Sequence, residues 1–150
     1  GAHRVAVRLA PSGSWGDMSD SDPAALFAYV AGELDKLGIA YLHLIEPRIA
    51  GNVEDGTRDQ QPVASRTLRA HFHGPIVAAG GFDGASADAI VAAGDADLVA
   101  FGRHFIANPD LPERLRRNLP LNSYDRPTFF GGTEVGYTDY PFHAEEPVAA

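Results

Sequence analysis

Four times in succession, a short apolar run ends in a polar loop that leads into a helical pattern. The first run is Val5 to Leu9, closed by Pro11. A polar loop over Ser12 to Ser21 follows, and Asp22-Pro23 then opens a helix, Asp as its cap and Pro in its first turn. Leu26, Val30, Leu34 and Leu37 mark one face of that helix, and Gly38 stops it. The second unit has Tyr41 to Ile45, Glu46-Pro47-Arg48, a long polar loop to about Gln61, and a weaker helix over Val63 to Phe72. The third has Pro75 to Ala79, Gly80-Gly81, and a helix from Ser86 to Ala93 with Ile90 and Val91 inward. The fourth has Leu98 to Phe101, Gly102-Arg103, a helical turn from His104 to Ala107, and a last helix capped by Asn108 or Asp110, with Leu111, Leu115 and Leu119 on one face.

Strands that alternate with helices imply right-handed crossovers and a parallel sheet, so the chain is α/β. The loops after the strands are the long, polar ones, and ligands bind at that end of such sheets. Four units make half of an eight-unit barrel or a small doubly wound sheet. A lone four-stranded sheet would expose two edges, and Val5-Ala6-Val7 does nothing to blunt the first. The pattern therefore predicts a sheet that lacks partners. Beyond Pro120 no period persists, yet Tyr124, Phe129, Phe130, Tyr137, Tyr140 and Phe142 predict a tail packed at least to about Tyr140, with Glu145 to Ala150 frayed.

The 150 residues suffice for one domain, and a net charge of −8 gives no electrostatic reason to bind nucleic acid or an anionic membrane. Without cysteine there is no disulfide framework or thiolate nucleophile. No apolar stretch approaches the ~18 residues of a membrane span. The opening Gly1-Ala2-His3-Arg4 shows no signal-peptide pattern, and the expectation is a cytoplasmic protein.

Gly80-Gly81 and Gly102-Arg103 end successive strands. In eight-unit barrels the loops after the last two strands commonly form a phosphate site, and glycine backbone with an arginine fork suits one. Arg8 lies inside an apolar strand. It either pairs with a carboxylate or stands as a fixed cation beside a ligand, such as a heteroaromatic ring that gains negative charge. His43 reads as a core or pocket histidine, His71 and His73 as a poor metal pair, and Glu46-Pro47-Arg48 lies on the functional face, with a structural salt bridge as the other reading. Asp17, Asp20 and Asp22 read as capping and solvation, because the glycine and terminal glutamate of a calcium loop are missing. No metal site, Ser/His/Asp triad or P-loop is found.

Taken in order, VAVRLAPSGSWGDMSDSDP, YLHLIEPR, PIVAAGGFD, ADLVAFGRHFIANPDLPERL and PLNSYDRPTFFGGTEVGYTDYP resemble the second half of the Old Yellow Enzyme family, in its ene-reductase and nitroester-reductase branch. The resemblance runs from about Arg4 to Pro141 and implies the second half of a TIM (β/α)8 barrel. It further implies FMN, reduced by NAD(P)H, which passes hydride to the β-carbon of activated alkenes. It assigns Arg8 to the pyrimidine edge of the flavin, Gly80, Gly81 and Phe82 to one part of the phosphate site, and Gly102 and Arg103 to the other. Phe129 falls by the dimethylbenzene end, and Trp15 and Phe130 in the substrate pocket. Phe130 replaces a usual tyrosine, removing a hydroxyl, and Trp15 replaces a common phenylalanine, narrowing the site.

The family's substrate-activating His pair, its tyrosine proton donor and further flavin contacts belong to the first half of the barrel. The resemblance thus implies no catalytic residue in this chain and a companion chain carrying the N-terminal half, joined through an interface above ~2,000 Å². Small-molecule substrates are the other expected partner. The competing expectations are a non-catalytic half-barrel that binds FMN or phosphate, and a flavin-free phosphate-binding barrel enzyme such as an isomerase or aldolase.

Overall fold

The computed structural model describes residues 1–13, 15–50, 53–54 and 64–144. The chain divides into two compact units, Gly1–Ala100 and Phe101–Ala150.

The first unit contains β1 (Ala6–Leu9), α1 (Pro23–Leu37), β2 (Tyr41–Ile45), a minimal hairpin of β3 (Ile49–Ala50) and β4 (Val53–Glu54), α2 (Ser65–Arg69), β5 (Ile76–Ala79), α3 (Gly84–Ala92) and β6 (Leu98–Ala100). Four strands form a parallel sheet in the order β1-β2-β5-β6, which is their order along the chain. A doubly wound sheet reverses its strand order at a switch point, and this one does not. With right-handed crossovers throughout, sequential order puts every helix on the same side, as in a barrel wall. Burial agrees. Leu42, Leu44, Ile76 and Ala78 are at most 1% exposed, whereas Tyr41 and Leu98 on the opposite face are 40% and 59% exposed.

Local signals set the α1 boundaries as expected. Asp22 accepts the Ala25 N–H at 3.1 Å, Pro23 opens the helix, and Gly38 closes it in a left-handed conformation (φ 64°). The expected inward faces need correction. Leu26 and Leu37 are 40% and 65% exposed, and Ala31 is the fully buried residue of α1. In α3, likewise, Val91 is 43% exposed and Ala87 is buried. Small residues take the contacts because they let the helix axis approach its neighbours closely. α3 also starts two residues before the expected Ser86, since Asp83 and Ser86 form a reciprocal capping box. α2 ends at Arg69 rather than Phe72. The expected start of that helix at Val63, and the loop at 55–61, lie outside the described residues.

Two polar clamps hold the unit. Glu46 is 8% exposed, and its Oε1 accepts the Ser65 N–H at 3.0 Å and the Ser65 hydroxyl, tying the end of β2 to the start of α2. Asp97 accepts the Ile76 N–H at 2.7 Å and pairs with Arg69, which fixes the start of β6 against that of β5. His73 is tied to the first helix: its N–H donates to Asp35 and its Nδ1 lies 2.9 Å from the same carboxylate.

The second unit contains α4 (Arg103–Ala107), α5 (Leu111–Arg117) and an irregular tail with a 3-10 turn at Arg126–Thr128. Asp110 occupies the N-cap of α5 without a side-chain cap bond; its carboxylate meets Arg114 Nε at 2.7 Å and the His143 N–H at 2.8 Å. Arg114 is 3% exposed and also donates to the carbonyls of Pro120 (2.8 Å) and Pro141 (2.9 Å). Asn108, fully buried, donates to the His104 carbonyl and accepts the Asn122 N–H. The tail is thus pinned to α5 as far as Pro141, in keeping with packing at least to about Tyr140. The expected fraying of 145–150 lies outside the described residues.

Candidate functional site

Arg8 and His43 are register partners on neighbouring strands, and Val77 and Leu98 continue the same row across the sheet. The row lies on the face opposite the helices, which in a barrel faces the interior. Arg8 is exposed there, and no ion pair to a carboxylate is found for it among the described residues. His43 is half-buried, and its Nε2 is shielded from solvent without a hydrogen-bond partner among the described residues. Burial, and then the positive charge of Arg8, hold its pKa below the ordinary 6.5. The pair therefore combines a permanent cation with an uncharged imidazole that offers one unused ring nitrogen.

At the carboxyl end of β5, Gly80 (φ 113°) and Gly81 (φ 66°) both adopt conformations that side chains disfavour. Phe82, next in the chain, is 4% exposed. Arg48, just beyond β2, reaches this turn: its guanidinium lies 4.1 Å from the centroid of the Phe82 ring, and Nη2 donates to the Gly80 carbonyl at 3.3 Å. Glu46 and Arg48 therefore have separate partners instead of the salt bridge that was one reading of Glu46-Pro47-Arg48. On the far side of the turn, the Ser86 hydroxyl, and then its N–H, hold the Asp83 carboxyl below its ordinary range. The backbone of Trp15 lies in a 3-10 turn over Trp15–Asp17.

In the second unit, Gly102 is the N-cap of α4 with φ −98°, and an added Cβ would meet nothing within 4 Å. Neither backbone strain nor a neighbouring atom in the described residues accounts for glycine there. Arg103 sits 5.5 Å from the centroid of Tyr124. Tyr124 also contacts His104 and Phe129 at 5.6 and 5.7 Å between ring centroids, and Phe129 meets Phe130 edge-on at 6.2 Å. Phe129 is 8% exposed and Phe130 78% exposed. Both line an open cleft of about 340 Å³ with Thr128, Gly131, Thr133 and Tyr137. The sequence shows Tyr124 only within the aromatic tail, and Arg48 on the functional face without its hold on Gly80 and Phe82. The first could be suspected only as one aromatic among several, and the second acts on a turn far along the chain.

A parallel α/β sheet of sequential order, polar and glycine-rich at the carboxyl ends of its strands, defines a half-barrel with a ligand-binding rim. A sequence model of the NADH:flavin oxidoreductase / NADH oxidase family matches residues 1–122. The chain belongs to that family, and corresponds to the C-terminal half of its Old Yellow Enzyme members. It is 48% identical over 149 residues to 12-oxophytodienoate reductase 1 of Oryza sativa subsp. japonica, covering 97% of this chain and 38% of that protein. It matches morphinone reductase in complex with tetrahydroNAD at TM-score 0.78 and 44% identity, covering 93% of this chain and 36% of that one. The old yellow enzyme from Trypanosoma cruzi matches at TM-score 0.83 and 34% identity, over 95% of this chain and 36% of the other. The chain thus spans less than half the length of these relatives.

FMN and a nicotinamide reductant are the cofactors that go with this family. The residues present suit a flavin. Arg8 offers charge and the shielded Nε2 of His43 an unused polar atom on the open sheet face, and consecutive left-handed glycines leave the β5 turn free of side chains.

Proposed function

We propose that this chain forms one half of the FMN site of a NAD(P)H-dependent ene-reductase. Its substrates are activated alkenes, namely α,β-unsaturated carbonyls, together with nitro compounds and nitroesters. The observation that carries this reading is Arg8 on the uncovered sheet face, beside a histidine that burial keeps neutral. Once the barrel encloses that face, a cation without a carboxylate is costly, and a ring that gains negative charge is the partner that offsets it.

When bound, FMN supplies hydride transfer between the nicotinamide and the alkene. Arg8 holds positive charge against the ring edge, and His43, being neutral, adds no competing proton. Gly80, Gly81 and Phe82 of the first unit, and Gly102 and Arg103 of the second, are the proposed phosphate-binding residues. Phe129 packs against the dimethylbenzene end, and Trp15 and Phe130 border the substrate. The groups that activate the substrate and deliver its proton come from the other half of the barrel, which these 150 residues do not include. The edges of β1 and β6, each with one neighbour in the sheet, are where that half would pair.

The test is NADPH oxidation driven by 2-cyclohexenone, followed with the flavin absorbance of the assembled protein. Arg8→Met should retain FMN through the phosphate turn yet slow reduction by about 10²-fold or more, as when one stabilising charge or donor is removed. A colourless assembled protein, or Arg8→Met at full rate, would refute the assignment. The lone chain should show no turnover; flavin bound to it without turnover is the behaviour of the non-catalytic half-barrel.

A further inference from the structure

Arg48 reaches two groups of a single turn that lies 32 residues further along the chain. Its Nη2 donates to the Gly80 carbonyl, and its guanidinium covers the Phe82 ring. Between these contacts stand Gly80 and Gly81, both at positive φ. Two adjacent glycines have more conformational freedom to lose than any other pair, so their shape depends on what surrounds them. The entry to the turn is fixed by the Glu46 N–H on the Ala79 carbonyl at 2.8 Å, and the exit by the Asp83–Ser86 capping box. The glycine peptides in between are restrained by Arg48.

We propose that Arg48 is a positioning residue for phosphate binding, one that sets the orientation of the Gly80–Gly81 peptide. In a trans peptide the carbonyl and the following N–H point to opposite sides. An arginine that holds the Gly80 carbonyl on one side therefore presents the Gly81 N–H on the other, where an anion can take it. The guanidinium also places a permanent positive charge beside the turn. Phe82 keeps this fork in place, since an arginine over an aromatic face gains cation–π attraction while its N–H groups stay free to donate. The proposal rests on the FMN reading given above, and it concerns the phosphate end of the cofactor alone.

Riboflavin, which has the ring system without the phosphate, separates the two. Dissociation constants for FMN and for riboflavin are measured on the assembled protein and on its Arg48→Met and Arg48→Lys variants, together with the melting temperature of each apoprotein. Arg48→Met should weaken FMN by about tenfold, the worth of one charge-assisted hydrogen bond. Riboflavin affinity and apoprotein melting should stay at wild-type values. Arg48→Lys keeps the charge without the planar fork, and its FMN affinity should fall between the two.

Equal weakening of both flavins would show a general structural role and overturn the proposal. So would FMN affinity unchanged in Arg48→Met, or an Arg48→Lys protein equal to wild type. A wild-type protein that binds neither flavin would instead refute the functional reading itself.

Discussion

Gly136 lies against Thr128 so closely that a Cβ built on it would fall 2.2 Å from Thr128 Oγ1. That hydroxyl lies 2.7 Å from the Asp125 carbonyl and 2.9 Å from the Gly136 carbonyl, so it cannot yield without breaking the turn. Gly136 also has φ 71°. Gly136→Ala should cost about 2 kcal/mol or more, by overpacking added to the left-handed penalty. Gly94→Ala is the control: φ is 76° there but no atom lies within 4 Å of the added carbon. It should cost only about 1 kcal/mol. Urea melts of the two variants check this, and equal costs would show that Thr128 moves aside.

Arg114 gathers Asp110, Pro120, Asn122 and Pro141 around one buried guanidinium. Arg114→Met preserves the aliphatic stem but leaves carbonyls and a carboxylate without their donor. We expect a loss of about 3 kcal/mol, as when one partner of a buried pair is removed. Limited proteolysis should cut the tail beyond Pro120 much faster in the variant, and an unchanged digestion rate would mean the tail has other anchors.

His43 titrates below its ordinary value of 6.5 because of burial first and Arg8 second. The unfolded chain therefore takes up a proton at this site at a higher pH than the folded one does. Its contribution to stability is complete above pH 6.5 and falls as the pH drops from there towards the lowered folded value. Denaturation of wild type and His43→Gln between about pH 7.5 and 5.5 should show a steeper acid loss in the wild type. Parallel slopes would mean that His43 takes up its proton in the fold as readily as in the unfolded chain.

Phe130 is 78% exposed and borders the open cleft. Phe130→Tyr should leave stability within about 0.5 kcal/mol, the usual range for a surface change. It would return a hydroxyl to the proposed substrate pocket, so KM for enones and nitro compounds should shift severalfold, about the worth of one net hydrogen bond, at constant flavin content. A change in flavin content instead would place Phe130 on the cofactor.

Much of the fold was legible in local chemistry. Asp22-Pro23 and Gly38 delimit α1 because a cap, a fixed φ and a left-handed stop act within a few residues. The four strands could be read because short apolar runs broken by Pro, Gly-Gly or Gly-Arg allow few alternatives. The inward faces of α1 and α3 were misread, since Ala31 and Ala87 bury themselves through closeness of approach rather than through apolar bulk. Of the site, the left-handed glycines announce themselves as Gly80-Gly81, and Arg8 stands out as a charge in an apolar strand. The reach of Arg48 to Gly80 and of Arg114 to Pro120 and Pro141 was beyond the sequence because those partners are backbone carbonyls, which no side-chain pattern encodes.

The clamp between Glu46 and Ser65 has a consequence for how this protein can diversify. Because the carboxylate takes both the N–H and the hydroxyl of Ser65, the ends of the intervening segment are joined irrespective of what lies between them. Lengthening a loop whose ends are already held adds little closure entropy, about 0.6 kcal/mol for each doubling. Insertions, deletions or a grafted reporter between Glu54 and Ser65, which spare Arg48, can therefore be explored while the register of β2 with β5 stays as it is. Variation at the rim of the barrel is uncoupled from its wall by one carboxylate.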